Sequence, residues 1–501
     1  MNYRRLAVAS ALVVVAGCAA QQGVPSISPA ATLSESRRFA SVPVIVLDAG
    51  SSGPSVVADI YGASIVTWYD FTKTFVNPSL HSSGIHLERF PGGSESDAYH
   101  WENGGSLCAS QGYIAPNATF DNFIGKLVKP LGSDIAVTLN YGSNRACNAG
   151  GEPSEAGAWV AHAKSLGVTG AHWTVGNEDY GSWEYDLHKH PHDPHTYSTE
   201  VRTGYYPAVK ASDPSAKLGV VVDLPSDTAW NDVVLRNAQP FDFVEVHYYP
   251  QYNSDNDAFL LGTAVSNFAT YLKQLRSQMT AAGVSPSVPI YLGEFNNDAG
   301  SEGKQSVSIV NGLYLGQMLG TVIEAGLPMS TWWLAYGSCD QNGDFSKYLY
   351  GWQNFGSEAL FSDGLPEYGC STAPQIAAGT PFPTARVLAL LAADVPSGSL
   401  VRTTTESPSL YGAARAYGFA EGKGYAFAIF NDTLSAIDVK AHVKNSSRMQ
   451  FTATLDTYGK AEYDKSQQNQ WVGPTHKSLG TVGAAISLSL PAYSLSVLKL
   501  Q

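Results

Sequence analysis

The sequence predicts an α/β protein built from a (β/α)8 TIM barrel and a C-terminal antiparallel β-sandwich. Three observations support this fold class. The chain has 501 residues, which is enough for two hydrophobic cores. From about residue 58 to about residue 395, runs rich in Val, Ile and Tyr alternate with helix-like stretches, as in a parallel sheet with crossover helices. From about residue 400, short alternating strands separated by Gly, Asn and Ser replace that pattern.

The first region contains eight strand candidates, which is the number that closes a barrel. They are Ala58–Val66, Gly84–Phe90, Asp134–Asn140, Ala171–Gly176, Lys217–Val222, Phe241–Tyr248, Pro289–Gly293 and Pro328–Leu334. Helices are expected between them. Apolar residues in 159–166, for example, keep helical spacing and stop at Gly167, a residue favoured just after a helix end.

The second region contains the strands expected in the sandwich. They are Leu410–Tyr417, Tyr425–Phe430, Ala436–Val443, Phe451–Asp456, Ala485–Leu490 and an apolar closing strand within 490–498. We expect Val42–Leu47, ahead of the barrel, to pair into the same sandwich. The predicted division is a signal peptide over 1–18, a flexible tether over 19–41, a sandwich strand within 42–50, the barrel over 51–396 and the sandwich over 397–501.

The N-terminus predicts export. Arg4 and Arg5 precede an apolar run, Leu6–Ala16, that is too short to span a bilayer. The run stops at Cys18 and resembles the bacterial lipoprotein signal, in which the cysteine is acylated and becomes the new N-terminus. We therefore expect a lipid anchor at the bacterial cell envelope, on the outer membrane or cell surface. A plain signal peptide with an incidental Cys18 is the alternative.

The net charge of the chain excludes one class of partner, and its cysteine content predicts disulfides. The net charge of −13, without a run of Lys or Arg, argues against nucleic acid as a partner. The other four cysteines form an even set, so an exported chain can pair them as disulfides. Three pairings are possible, and we favour Cys108–Cys147 and Cys339–Cys370, the neighbours in sequence. Zinc is the weaker interpretation, because no C-x-x-C spacing occurs.

Two glutamates stand out by position. Glu178 follows the fourth strand candidate and Glu294 follows the seventh. The carboxyl ends of all eight strands meet at one face of such a barrel, so these distant residues are expected to converge. Cleavage of a glycosidic bond by retention requires such a pair, one as general acid/base and the other as nucleophile. Either residue alone would more simply be a surface glutamate.

These residues resemble the pattern of the clan A glycoside hydrolases, in which an Asn-Glu pair ends strand four and a Glu ends strand seven. The resemblance implies that Glu178 is the acid/base, that Glu294 is the nucleophile and that Asn177 holds the sugar 2-hydroxyl. It also implies further substrate-site residues at the ends of strands two, six and eight. These are Arg89, His247 and Tyr249, with Trp332 or Trp333 as an apolar floor.

Within the clan, the sequence is most similar to the family 51 α-L-arabinofuranosidases. The motif over residues 89–93 with Trp101 downstream, and the stretch over 176–183, are similar to theirs. The resemblance implies that Trp101 is also a substrate-binding residue. The segment Tyr61–Trp68 lacks the family's Glu-His pair after strand one, where the Glu contacts arabinose, and the loop Cys339–Cys370 is unlike that family. Families 39 and 79, with β-xylosidase and β-glucuronidase activities, share the barrel-plus-sandwich plan.

We therefore expect a retaining glycosidase that removes a non-reducing-end residue from polysaccharide fragments by double displacement, with an α-L-arabinofuranoside as the leading substrate. Another clan A activity, β-xylosidase, β-glucuronidase or endo-glucanase, is the alternative within the class. A non-catalytic glycan-binding surface lipoprotein is the alternative outside it. We expect no cofactor and no metal, because His188, His190, His192 and His195 lack an accompanying carboxylate or Cys ligand pattern.

Overall fold

A computed structural model describes residues 42–108, 112–300, 303–338, 356–365 and 376–501. Eight parallel strands close into a barrel at the eight predicted positions, and an antiparallel sandwich follows, so the predicted fold class is confirmed. In chain order the barrel strands, first to eighth, are Gly62–Ser64, Leu87–Phe90, Asp134–Leu139, His172–Val175, Lys217–Val221, Phe243–Tyr248, Ile290–Phe295 and Ser330–Trp332.

The first barrel strand is shorter than predicted. Residues 58–60 form a 3-10 turn, and only Gly62–Ser64 pairs with the neighbouring strands on both sides. Beyond Ser64 the chain still follows the second strand, because Ile65 N donates to Arg89 O and Thr67 N donates to Pro91 O. Hydrophobicity over 58–66 therefore marked the strand correctly but did not mark its ends.

Helices surround the barrel. In three crossovers, a π-helical segment joins two α-helical segments. The α-helices are Val76–Ser82, Phe120–Asn122, Lys129–Leu131, Pro153–Ser165, Pro194–Glu200, Tyr206–Ser212, Thr228–Asn237, Asp257–Phe259, Val265–Ala281, Ile309–Glu324 and Pro383–Asp394, and the π segments are Phe123–Val128, Val201–Tyr205 and Leu260–Ala264. Among the described residues, no helix combines the length and apolarity that a membrane span requires.

The sandwich consists of a six-stranded and a four-stranded sheet. The larger has the order Leu400–Arg402, Ala414–Glu421, Gly424–Asn431, Ser494–Leu500, Gln450–Gly459, Thr475–Gly483. The smaller has the order Thr404–Glu406, Val44–Asp48, Ile437–Lys444, Ala485–Leu490. Val44–Asp48 thus lies inside the smaller sheet, parallel to Ile437–Lys444. Its Ile45 and Leu47 are fully buried in the core between the sheets.

Cys108 and Cys147 form a disulfide, which joins the loop after the second barrel strand to the loop after the third. Cys18, Cys339 and Cys370 lie outside the described residues.

Candidate active site

The two glutamates that the sequence singled out lie together at the carboxyl ends of the barrel strands. Glu178 follows the fourth strand and Glu294 belongs to the seventh. A carboxylate oxygen of each lies within 4.8 Å of the other and of a ring nitrogen of His247. The barrel therefore brings two carboxyl groups and an imidazole to one point.

The backbone after the fourth strand turns sharply to present Glu178. Gly176 has φ +72° and Glu178 itself has φ +48°, in the left-handed region that residues other than glycine rarely adopt. A Cβ atom at Gly176 would lie 1.7 Å from Asp179 Oδ2, so only glycine fits there. Such unusual conformations concentrate at functional sites. The Glu178 side chain keeps 19% of its surface exposed.

Glu294 is more enclosed than Glu178, with 6% of its side chain exposed. Arg89 Nη1 donates to its Oε1 at 2.5 Å, and the Tyr249 hydroxyl donates to its Oε2 at 2.9 Å. Burial acts to lower the pKa of Arg89, but the charges of Glu294 and Glu245 outweigh it and raise that pKa. Arg89 is therefore a permanent cation, and the two donors hold the Glu294 carboxyl group in one orientation.

Asn177 is tied to the same network. Arg89 Nη2 donates to Asn177 Oδ1 at 2.9 Å, and Asn177 Nδ2 donates to Glu184 Oε1 at 3.0 Å. The residue is buried, so its amide is fixed between the guanidinium and a second carboxylate.

Hydrogen-bond donors of three residues hold Glu178. His247 Nδ1 donates to its Oε1 at 2.9 Å, and Trp183 Nε1 donates to its Oε2 at 3.0 Å. Burial acts to raise the pKa of Glu178, but the hydrogen bonds from His247, Trp183 and Tyr180 and the charge of His247 together lower it. Burial acts to lower the pKa of His247, but the charge of Glu294 and the hydrogen bonds to Glu178 and Glu245 raise it to about 10. These opposite shifts favour the proton on His247 over the proton on Glu178.

The three predicted tryptophans have different locations. Trp333 is partly exposed; its ring lies against Gly93 and 6.0 Å from the Trp68 ring, beside the loops after the first two strands. Trp332 points the opposite way, because side chains alternate along a strand, and it is buried edge-on against Phe295. Trp333, rather than Trp332, is therefore available to a ligand.

Trp101, a predicted substrate-site residue, packs against a helix. Its ring stacks on Trp159 and on His162 of helix Pro153–Ser165, with centroids 6.3 and 4.7 Å apart. A contact of Trp101 with substrate stays a prediction.

Two groups of side chains in the described ranges have atoms close enough to hold a metal ion. One is Glu178, His247 and Glu294, whose facing atoms already bond to each other or to Arg89 and Tyr249. The other is His100 with Cys108 and Cys147, whose sulfurs are joined in the disulfide.

The histidines over 188–195 do not converge. His188 Nδ1 bonds Asp186 and its ring stacks on Tyr141, whereas His192 Nδ1 faces the Asp179 carbonyl. His190 and His195 are exposed. His188 and His192 are thus polar groups of the loop before helix Pro194–Glu200, which contains His195.

Sequence reasoning missed two carboxylates near this site. Glu245 lies directly beneath it, 3.2 Å from His247 Nε2 and 3.5 Å from Arg89 Nε. Glu358 accepts a hydrogen bond from Trp333 Nε1 at 2.8 Å. Glu245 was detectable, because residues 245, 247 and 249 alternate on one face of the sixth strand. Glu358 follows no periodic pattern, since it lies in an irregular loop.

Solved structures with the same fold are found, although no family model and no curated protein matches the chain. The α-L-arabinofuranosidase of Thermotoga maritima, in complex with arabinose, is 17% identical with a TM-score of 0.69, over 91% of this chain and 99% of that one. The family 51 α-L-arabinofuranosidase of Thermotoga petrophila is 16% identical with a TM-score of 0.70, over 92% and 100%.

The family 44 endoglucanase of Clostridium thermocellum is 12% identical with a TM-score of 0.62, over 92% of this chain and 100% of that one. At such identities the likeness establishes the fold. The resemblance to family 51 and other clan A proteins is confirmed at that level, across the barrel and the sandwich together.

Proposed function

We propose that this protein is a retaining glycoside hydrolase that uses Glu294 as nucleophile and Glu178 as general acid/base. The observation that carries the proposal is the separation of the two carboxyl groups, whose facing oxygens lie within 4.8 Å. Retaining glycosidases hold this pair about 5–5.5 Å apart, whereas inverting enzymes leave roughly 6.5–9.5 Å for a water molecule. The short separation supports direct attack by one carboxylate.

The surroundings of the two groups support different roles. Glu294 receives hydrogen bonds from Arg89 and Tyr249, which suit a carboxylate that attacks the anomeric carbon. Glu178 is the more exposed group, at the mouth of the site, where a leaving group departs. Glu178 would protonate the leaving oxygen, then act as base toward the water that hydrolyses the glycosyl-enzyme ester.

A glycoside is therefore the substrate class, and an α-L-arabinofuranoside at a non-reducing end is our leading candidate. The named activities of the Thermotoga structures support it. The endoglucanase with the same fold keeps another clan A activity open. After the first barrel strand this chain has no glutamate; Thr67 Oγ1 instead donates to Glu95 Oε2, from the loop after the second strand. The contact to the sugar on that side must therefore differ from that of family 51.

A panel of aryl glycosides tests the proposal. Wild type is expected to cleave at least one sugar, and ¹H NMR of the first product should show the anomeric configuration of the substrate. Glu294→Gln should lose several orders of magnitude in kcat. Glu88→Gln is the matched control, since Glu88 is a buried barrel glutamate that accepts a hydrogen bond from Ser133, just before the third strand.

Glu178→Ala distinguishes the acid from a merely supporting carboxylate. Aryl glycosides with good leaving groups need little protonation, so their first step should be spared relative to those with poor leaving groups. Equal losses on both types would contradict the acid assignment. No hydrolysis of any sugar, with glycan binding intact, would favour a binding protein.

We also propose export and attachment to the bacterial envelope through an acylated Cys18. The apolar run that stops at Cys18 supports this proposal. Wild type should fractionate with membranes in a bacterial host and incorporate labelled palmitate. Cys18→Ala should do neither, and equal incorporation by both chains would refute the anchor.

A further inference from the structure

The sixth barrel strand and the residue that follows it carry a row of three polar side chains, two residues apart, into the site. Tyr249 bonds Glu294 and His247 bonds Glu178, so the outer two members each serve one of the paired carboxylates. The innermost, Glu245, touches neither glutamate, and the reaction proposed above gives it no task.

Glu245 is a fully buried side chain held on three sides. Its Oε1 lies 3.2 Å from His247 Nε2 and 3.5 Å from Arg89 Nε. Its Oε2 accepts a hydrogen bond from Thr174 Oγ1, on the fourth strand. On the seventh strand, a Cβ atom at Gly293 would lie 2.2 Å from Glu245 Oε1, so the absence of a side chain there makes room for the carboxylate.

The charged side chains around His247 alternate between negative and positive. His247 faces Glu178 after the fourth strand, Asp223 after the fifth, Glu294 on the seventh, and Glu245 on its own strand. The neighbouring hydroxyl groups of Tyr180 and Tyr249 bond Glu178 and Glu294. The remaining cation is Arg89, which lies between Glu245 and Glu294. With both ring nitrogens facing carboxylate oxygens, the imidazole of His247 can satisfy both only by carrying two protons.

We propose that Glu245 is a positioning residue that holds His247 as an imidazolium, and that this imidazolium stores the proton used by Glu178. The proposal rests on the function proposed above for its second half only. The proton passes along the bond from His247 Nδ1 to Glu178 Oε1. The N–H bond breaks, an O–H bond forms, the imidazolium becomes neutral and the carboxylate becomes the acid.

The directions of the pKa shifts of His247 and Glu245 agree with the proposed roles of these residues. The pKa of His247 is raised to about 10, against the effect of burial, by Glu294, Glu178 and Glu245. Glu245 keeps its own charge although it is buried, because the hydrogen bond from His247 and the charge of Arg89 outweigh burial and lower its pKa. The site thereby keeps one proton well into the alkaline range.

NMR of the full chain labelled with ¹⁵N-histidine tests the first half without reference to activity. The His247 resonances, assigned by their loss in His247→Asn, should have imidazolium shifts in wild type at pH 8. In Glu245→Gln the deprotonation midpoint should fall by about one to two pH units, the effect of losing one charged hydrogen-bond partner. Glu88→Gln, which removes another buried barrel carboxylate, should leave the midpoint unchanged.

The pH profile of kcat/KM tests the second half on whichever glycoside wild type cleaves. The alkaline limb should move to lower pH in Glu245→Gln by the same shift as His247, and should stay in place in Glu88→Gln. A neutral His247 in wild type at pH 8 would overturn the proposal, even where Glu245→Gln does not fold. If the NMR midpoint of His247 moves in Glu245→Gln but the alkaline limb stays in place, His247 is not the source of the proton used by Glu178, and only the second half of the proposal is overturned. Inactivity of wild type on every glycoside would instead count against the proposed function.

Discussion

Close to the turn that carries Glu178, the pKa values of two aspartates, Asp179 and Asp186, are shifted in opposite directions. Both oxygens of the fully buried Asp179 receive no hydrogen bond from any other described residue. Burial and the charge of Asp97 raise the pKa of Asp179 well above its usual value. For Asp186, burial acts in the same direction, but hydrogen bonds from His188 and from the His192 backbone outweigh it and lower the pKa. Between Asp179 and Asp186, the presence of hydrogen-bond donors accounts for the opposite directions of the two pKa shifts.

Asp179→Asn should therefore change the pH dependence of stability. A carboxyl group whose pKa is raised on folding contributes the most stability below its unfolded pKa of about 3.9. That contribution is lost as the pH rises through the folded pKa. Wild type should thus lose melting temperature between pH 5 and pH 8. In Asp179→Asn the loss should be smaller, so the variant gains relative to wild type at pH 8 and little at pH 5, as measured by thermal unfolding.

Asp186→Asn is the opposite control. A depressed pKa contributes stability above the unfolded pKa, so this variant should melt lower than wild type at pH 8. If Asp179→Asn melts lower than wild type at pH 8 as well, Asp179 has a stabilising partner when ionised, and the assigned direction is wrong.

Residue positions in the site were predictable where they depend on strand order. The pairing of Glu178 with Glu294, and the nearness of Arg89 and Tyr249 to Glu294, follow from eight strands ending at one face. The stacking of Trp101 on Trp159 and His162 was not predictable, because Trp101 lies in the loop after the second strand, and no periodicity records the direction of a loop. The roles of the site residues stay predictions.

At the scale of elements, hydrophobic patterning located strands with a buried face and missed those without one. Ala485–Leu490 alternates buried and exposed residues and was predicted to the residue. Thr475–Gly483 was missed, because this edge strand is polar and almost wholly exposed. The strand predicted to begin at Leu410 begins instead at Ala414, since Pro408–Leu410 forms a 3-10 turn.

The strand Val44–Asp48 joins the first described part of the chain to the sandwich nearly 400 residues later. Leu47 is fully buried between the two sheets, whereas Val46 is half-buried on the opposite face. Leu47→Ala should lower the free energy of unfolding by about 2–5 kcal/mol, the range for emptying a buried leucine site. Val46→Ala should cost less. Equal losses in urea unfolding would mean that this strand does not contribute to the sandwich core.

At the scale of the whole molecule, helix Ile309–Glu324 joins the barrel to the sandwich. Its residues through Ile323 are buried, and one continuous core includes barrel residues together with Tyr417, Phe430 and Val497 of the sandwich. The Tyr417 hydroxyl donates to Gln317 O at 2.9 Å. The helix approaches the sheet closely, since a Cβ atom at Gly320 would lie 2.5 Å from the Tyr417 ring.

This continuity predicts that barrel and sandwich unfold together. Calorimetry of wild type should show one transition rather than two, because unfolding either part exposes the core that they share. Gly320→Ala should lower the temperature of that single transition, since the added methyl group displaces the Tyr417 ring.

Gly125→Ala is the matched control: it is also helical, and its added methyl group meets no atom within 4 Å. The control should melt at or above the wild-type temperature, because alanine restricts the unfolded chain more than glycine does. Two separate transitions in wild type, with only the later part of the chain affected by Gly320→Ala, would contradict a shared core and make the sandwich an independent domain.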